Sequence, residues 1–162
     1  MLPFLLFRTV MPPPLNQLFS PSSLILNLDP TTREEAIDRL LDTLELAERA
    51  KAEVRSLLGE REAQGSTALG LGVALPHIRS DVVPSLCLAY GRSAAGIDWE
   101  APDDQPVHHL FLLVAPPISD SKDYLPVMGN IARLVREDEV RQGLAMVETP
   151  DEFVDLLKAH GC

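Results

Sequence analysis

Apolar residues along this chain switch between helical and strand spacing, and the switches outline the elements. Leu24-Ile25-Leu26 and Leu28 run into Asp29-Pro30, which predicts a short strand or extended segment entering a turn. Thr31 with Glu34 and Thr32 with Glu35 offer two overlapping capping boxes. Ile37, Leu40, Leu41, Leu44 and Ala47 then recur at helical spacing and predict an amphipathic helix over 31–49. Val54, Leu57 and Leu58 predict a second helical stretch that stops at Gly59, with a turn near 49–51 between the two. Glycines at 65, 70 and 72 predict a loop over 65–76. Residues 86–90 read as a strand, 97–99 as a shorter one, and 107–115 as the strongest, bounded by Pro106 and Pro116-Pro117. Residues 119–123 cap a helix whose apolar face holds Leu125, Met128, Ile131, Ala132 and Val135. Val140, Leu144 and Val147 predict another. Thr149-Pro150-Asp151-Glu152 opens the last helix, with Phe153, Leu156 and Leu157 inward and Gly161 closing it. Helices, strands and helices in that order predict a single α/β domain, a small mixed β-sheet flanked by helices.

Composition agrees with one domain: 162 residues, 46% apolar and 23% charged. Fourteen Lys+Arg against 24 Asp+Glu give a net charge of −10, which argues against a nucleic-acid partner and against charge-driven membrane binding. Charge is absent from the first 28 residues except at Arg8. The opening apolar run has no positive leader and no cleavage site, and no stretch is long enough to span a bilayer. Residues 1–14, with a second Met at 11, are expected to be a disordered or mis-called extension, and 15–162 the domain. Cys87 and Cys162 make no disulfide framework. Cys87 is expected to be a buried thiol and Cys162 to be exposed, in a reduced cytoplasmic protein.

The chemistry concentrates in 61–79, Arg61-Glu62-Ala-Gln-Gly65-Ser66-Thr67-Ala-Leu-Gly70-Leu-Gly72-Val-Ala-Leu-Pro76-His77-Ile-Arg79. Glycines let a backbone approach an anion. Arg61 and Arg79 can each grip phosphate with a forked guanidinium. Histidine is a nitrogen nucleophile that is neutral near pH 7. A phosphoryl group could therefore sit on His77. Neither the Walker A loop nor the dinucleotide fingerprint fits, because no lysine lies between Lys51 and Lys122 and position 75 is Leu75 rather than glycine. Composition alone favours a glycine-rich surface turn with a solvated histidine.

The same residues carry a resemblance. Arg61-Glu62, two residues, Gly65-Ser66-Thr67, then Gly-x-Gly-x-Ala-x-Pro76-His77 resembles the active-site signature of the enzyme IIA component of the phosphoenolpyruvate-dependent phosphotransferase system, fructose/mannitol type, which includes nitrogen-regulatory IIA proteins. Residues 24–28, 32–37, 107–116 and 149–157 resemble further parts of that family, over roughly residues 15–160. The resemblance implies the family's α/β fold and a phosphocarrier with His77 as acceptor. The phosphoryl group would come from the histidine-containing phosphocarrier protein and go to a IIB domain, or be held on His77 as a regulatory mark read by a partner transporter or kinase. Arg61 is implied as the catalytic arginine. Gly65, Ser66, Thr67, Gly70, Gly72 and Arg79 are the expected phosphate contacts, with no cofactor and no metal. One ring nitrogen of His77 is expected to donate to a backbone carbonyl. The absence of an attached IIB or membrane segment favours the nitrogen-regulatory branch over sugar transport.

One position departs from the pattern. The family carries a second histidine in a His-Leu pair, and here the matching pair is Tyr124-Leu125. A tyrosine can hydrogen-bond a phosphate oxygen but cannot become a cation near neutrality. That motivates a second reading, a non-catalytic regulator with the IIA fold that binds a transporter, channel or kinase. Adjacent His108 and His109 must point to opposite faces of a strand, so they read as structural. A metal site through His77, His108 and Cys87 has no ligand spacing behind it. Glu62 could orient Arg61. Trp99 and Phe111 read as core, and His160 suits a helix C-terminus.

Overall fold

A computed structural model describes residues 11–118 and 120–162. Most of the predicted extension, and Ser119 of the predicted cap at 119–123, lie outside them. The chain forms a six-stranded mixed sheet between two helical layers, among the described residues. The long strands are β5 (Cys87–Ile97) and β6 (Val107–Ala115), paired antiparallel. β1 (Leu24–Ile25) runs parallel to β5. On the other side, β6 pairs in parallel with two short strands, β3 (Val73–Ala74) near its start and β4 (His77–Arg79) at its end. β2 (Ala68–Gly70) pairs antiparallel with β3.

β6 is apolar almost throughout because both its faces are covered. Successive side chains alternate between the layers. Phe111, Leu113 and Ala115 point into one core, with Tyr90 and Leu88 of β5. That core is closed by α1 (Leu15–Leu18), α4 (Tyr124–Leu134), α5 (Asp138–Met146) and α6 (Pro150–Ala159). Leu110, Leu112 and Val114 point into the other core, under α2 (Arg33–Asp42) and α3 (Glu48–Gln64). Trp99, fully buried, belongs to this second core, and Phe111 to the first. No helix among the described residues is long and apolar enough to cross a membrane.

Several boundaries differ from the expected ones. α2 ends at Asp42 rather than near 49, because the Thr43 hydroxyl donates to the Leu40 carbonyl at 2.6 Å and closes the last turn. α3 begins at Glu48 and runs through Gly59 to Gln64. A helical glycine costs only about 1 kcal/mol, and packing of Val54 and Leu58 outweighs it. Arg61 therefore stands on the last turn of a helix, not in a loop. The two expected capping boxes reduce to one cap: Thr32 accepts from the Glu35 amide, while the Glu35 carboxylate accepts from Thr31. The expected loop at 65–76 contains the β2–β3 hairpin. Its tip needs φ of +81° at Gly70, +59° at Leu71 and +76° at Gly72, and glycine supplies two of the three without strain. Residues 97–99 are not a separate strand; β5 continues to Ile97 through an irregularity after Arg92. Residues 15–28 hold α1 and a 3-10 turn before β1.

The last helix starts where expected, with the Thr149 hydroxyl accepting from the Glu152 amide at 3.2 Å. Thr149→Ala should cost about 1 kcal/mol in urea unfolding, the usual worth of such a cap. At the far end Cys162 is buried, not exposed: its amide donates to the Leu157 carbonyl, and its own carbonyl accepts from Asn16 at 2.6 Å. Cys87 is half-buried, and burial pushes its thiol above the ordinary range.

Candidate functional site

His77 is the first residue of β4 and lies opposite Leu113. Pro76 precedes it, and the Pro76 carbonyl accepts from the Leu113 amide at 3.0 Å. The imidazole Nδ1 stands 2.7 Å from the Leu75 carbonyl. A carbonyl can only accept, so Nδ1 carries the proton and the Nε2 lone pair is left for attack. Leu75 is itself tied down, its amide donating to the Thr67 carbonyl at 3.0 Å. A short relay of backbone bonds thus sets the tautomer of the expected nucleophile.

His77 lines an open depression of about 420 Å³ between α3 and α4. Arg61 and Gln64 enter it from α3, Arg79 from β4 and Tyr124 from the start of α4. The Tyr124 and His77 ring centroids are 6.1 Å apart. The Arg79 guanidinium carbon sits 4.1 Å above the Tyr124 ring, a cation–π contact that holds both side chains. Burial pushes the Tyr124 hydroxyl above the ordinary phenol range, with Arg79 and then Arg61 pulling the other way. Tyr124 is therefore a neutral hydroxyl donor through the physiological range. The Arg61 Nη1 donates to the Gly65 carbonyl at 2.8 Å, which anchors the guanidinium at the helix end.

The other expected phosphate contacts fall into two groups. Gly65, Ser66 and Thr67 form the corner between α3 and β2. Ser66 donates to the Trp99 carbonyl at 2.7 Å, and Thr67 is buried between the Glu62 carboxylate and the Trp99 indole. Glu62 thus braces Thr67 and does not pair with Arg61. Gly70 and Gly72 lie at the hairpin tip beside the start of β6, where the Gly72 carbonyl accepts from His108 and His109. Val73 pairs with His109 and His77 with Leu113. Those four residues of strand amount to about 13 Å at about 3.3 Å per residue. The structure does not bring Gly70 and Gly72 to His77. Their spacing could not have separated these roles, because a turn glycine and a phosphate-loop glycine look alike in sequence.

His108 and His109 take opposite faces, as strand alternation requires. His109 pairs with the Tyr90 hydroxyl at 2.8 Å, and His108 Nδ1 lies 2.8 Å from the Ser93 carbonyl. His160 contacts Glu137 at 3.0 Å. Among the described residues no three potential ligands gather where they could hold a metal ion, so His77, His108 and Cys87 do not form a site.

A histidine with one nitrogen fixed, beside two arginines and a neutral hydroxyl, is an arrangement suited to carrying a phosphoryl group. The sequence model of the family described as "Phosphoenolpyruvate-dependent sugar phosphotransferase system, EIIA 2" matches residues 17–160. The chain belongs to this family. It is 35% identical over 130 residues to the fructose-specific EIIA component of Haloferax volcanii, covering 79% of this chain and 84% of that one. It is 32% identical over 132 residues to a nitrogen regulatory protein of Bradyrhizobium diazoefficiens, covering 81% and 86%. The crystal structure of the nitrogen regulatory protein IIA-Ntr from Neisseria meningitidis superposes with a TM-score of 0.79 at 26% identity, covering 88% of this chain and 97% of that one. Longer relatives occur as well: the chain spans 23% of the fructose-specific EIIABC component of Bacillus subtilis. Fructose and nitrogen-regulatory names thus occur at similar identity, and the comparisons favour neither the nitrogen-regulatory branch nor sugar transport.

Proposed function

We propose that this IIA domain carries a phosphoryl group on His77 Nε2. The observation behind the proposal is the 2.7 Å Nδ1–Leu75 contact, which presents Nε2 unprotonated beside Arg61, Arg79 and Tyr124. The donor is the phosphohistidine of the histidine-containing phosphocarrier protein. Nε2 attacks phosphorus in line, a new N–P bond forms, and the donor N–P bond breaks with its electron pair returning to the donor imidazole. The Nδ1 proton stays on His77 throughout. Little covalent work falls to the protein, so catalysis is positioning and charge stabilisation. A guanidinium about 4 Å from the migrating group contributes about 4 kcal/mol at an effective dielectric of 20, before desolvation. The acceptor is a IIB domain; alternatively the group stays on His77 as a mark to which a transporter or kinase responds, all in the cytoplasm.

The test is incubation with phosphoenolpyruvate, enzyme I and the phosphocarrier protein. The expected result is one acid-labile phosphoryl group, mapped by fragmentation to His77; no mass gain overturns the proposal. Tyr124→Phe keeps the ring under Arg79 and deletes only the hydroxyl. It should slow transfer by about tenfold, the worth of one hydrogen bond to a charged oxygen, with the extent of phosphorylation unchanged.

Tyr124 also supports a second reading, a regulator that binds its partner without transfer. Partner capture that is the same for wild type, His77→Ala and His77→Asp would favour it.

A further inference from the structure

A cavity of about 670 Å³, larger than the depression at His77, opens at the other end of the sheet. It lies between the start of β6, the middle of β5, the β2–β3 turn and α5. Arg92 of β5 and His109 of β6 face each other across the ladder, and both line it. The depression at His77 does not reach here, since His77 pairs with Leu113, beyond His109 by about 13 Å of strand at about 3.3 Å per residue.

Arg92 is held in an unusual way. Its Nε donates to the Leu26 carbonyl at 3.0 Å, and its Nη1 donates to the Leu144 and Val147 carbonyls at 2.9 and 2.5 Å. These bonds lock the guanidinium and cap the end of α5, but none of them neutralises it. No carboxylate among the described residues pairs with Arg92, and its Nη2 makes no hydrogen bond there. Arg141, on the same cavity, is in contrast paired with Asp138 at 3.0 Å. His109 adds a neutral ring: burial, reinforced by His108, Arg92 and Arg141, holds it down to about 4. Its Nδ1 shares a hydrogen bond with the Tyr90 hydroxyl at 2.8 Å, which fixes the ring in place. The remaining walls are largely apolar, among them Leu26, Leu28, Leu71 and Ala145.

One guanidinium that no carboxylate among the described residues pairs, fixed in place beside a largely apolar wall, suits one negative charge on an apolar body. A polyanion is disfavoured, because Asp138 already neutralises the second arginine and Asp29 lines the same cavity. The volume is in the ordinary range for small-molecule sites, about 300–1,000 Å³. We propose that this cavity binds a small organic monocarboxylate, with the carboxylate on Arg92 and the hydrocarbon against Leu26, Leu71 and Ala145. With Nε and Nη1 taken by the Leu26, Leu144 and Val147 carbonyls, the two N–H groups of Nη2 are the donors left for a carboxylate.

Hexanoate is the probe. Titrated into the full isotope-labelled chain, it should give saturable shifts of the Gly72, Ser93, Ala94 and Ala95 amides, with a Kd of about 1 mM or tighter. Hexanamide and inorganic phosphate should each bind at least about tenfold more weakly. Arg92→Gln should lose hexanoate binding by a similar factor. Arg92 also caps α5, so a second variant guards against a folding defect: Ala145→Trp puts an indole from the exposed face of α5 into the cavity. That variant should lose hexanoate binding with its thermal midpoint unchanged. Absence of saturable shifts at those amides overturns the proposal. So does hexanamide or phosphate binding as tightly as hexanoate, or hexanoate binding undiminished in Ala145→Trp. Ala145→Trp keeps phosphoryl transfer at His77 in every case, so failure here is separable from failure of the phosphocarrier reading.

Discussion

His77→Ala abolishes the acid-labile phosphoryl group completely, while the chain keeps its fold. The expectation of a total loss rests on chemistry rather than on geometry alone. The N–P bond needs a nitrogen lone pair, and alanine offers none. Arg61, Arg79 and Tyr124 can stabilise a phosphoryl group only while something else holds it. The side chain is part-exposed and contributes one hydrogen bond, to Leu75, so the cost in stability is small, about 1 kcal/mol. The measurement is intact-protein mass after incubation with the donor system, alongside thermal unfolding. A phosphoryl group that persists in His77→Ala would move the site elsewhere.

Arg61→Gln is the second large effect. It should slow phosphoryl transfer by about 10²–10³-fold, the range seen when one preorganised donor to developing charge is removed. Arg61 is held at the end of α3 by the Gly65 carbonyl, so its charge is in place before the donor arrives and needs no reorganisation during transfer. Glutamine keeps a donor for that carbonyl but loses the charge. The stability change should therefore stay within about 1 kcal/mol, as for an exposed hydrogen bond. The readout is a rapid-quench time course: the rate falls while the final extent recovers at long times. A rate equal to wild type would assign the charge stabilisation to Arg79 instead. The pH profile of either protein should show no step from Tyr124 in the neutral range, because burial keeps its hydroxyl protonated there.

Much of this molecule was legible along the chain. β6 announced itself as an apolar run between prolines, and the strand is buried on both faces. Thr32 and Thr149 lie at the caps their downstream glutamates suggested. Those features are local: a cap or a strand pattern is a property of four to nine neighbouring residues. His77, Arg61 and Tyr124 were marked by a motif, and they line one depression. Gly59 reads as a helix end, yet α3 runs through it, because a lone glycine is a weak helix breaker and burial of Val54 and Leu58 outweighs it.

By itself the sequence determined the layer architecture and the family, and marked His77 as the candidate phosphoacceptor. Periodicity and motif spacing encode these within short windows of chain. Only the tertiary structure decided which glycines stand near His77, because the pairing of β3 and β4 with different ends of β6 separates residues that are adjacent in the motif. It likewise decided that Cys162 is buried and that Arg92 caps α5 beside a largely apolar cavity. Each of these depends on contacts between distant segments, whose energies no local pattern of residues contains.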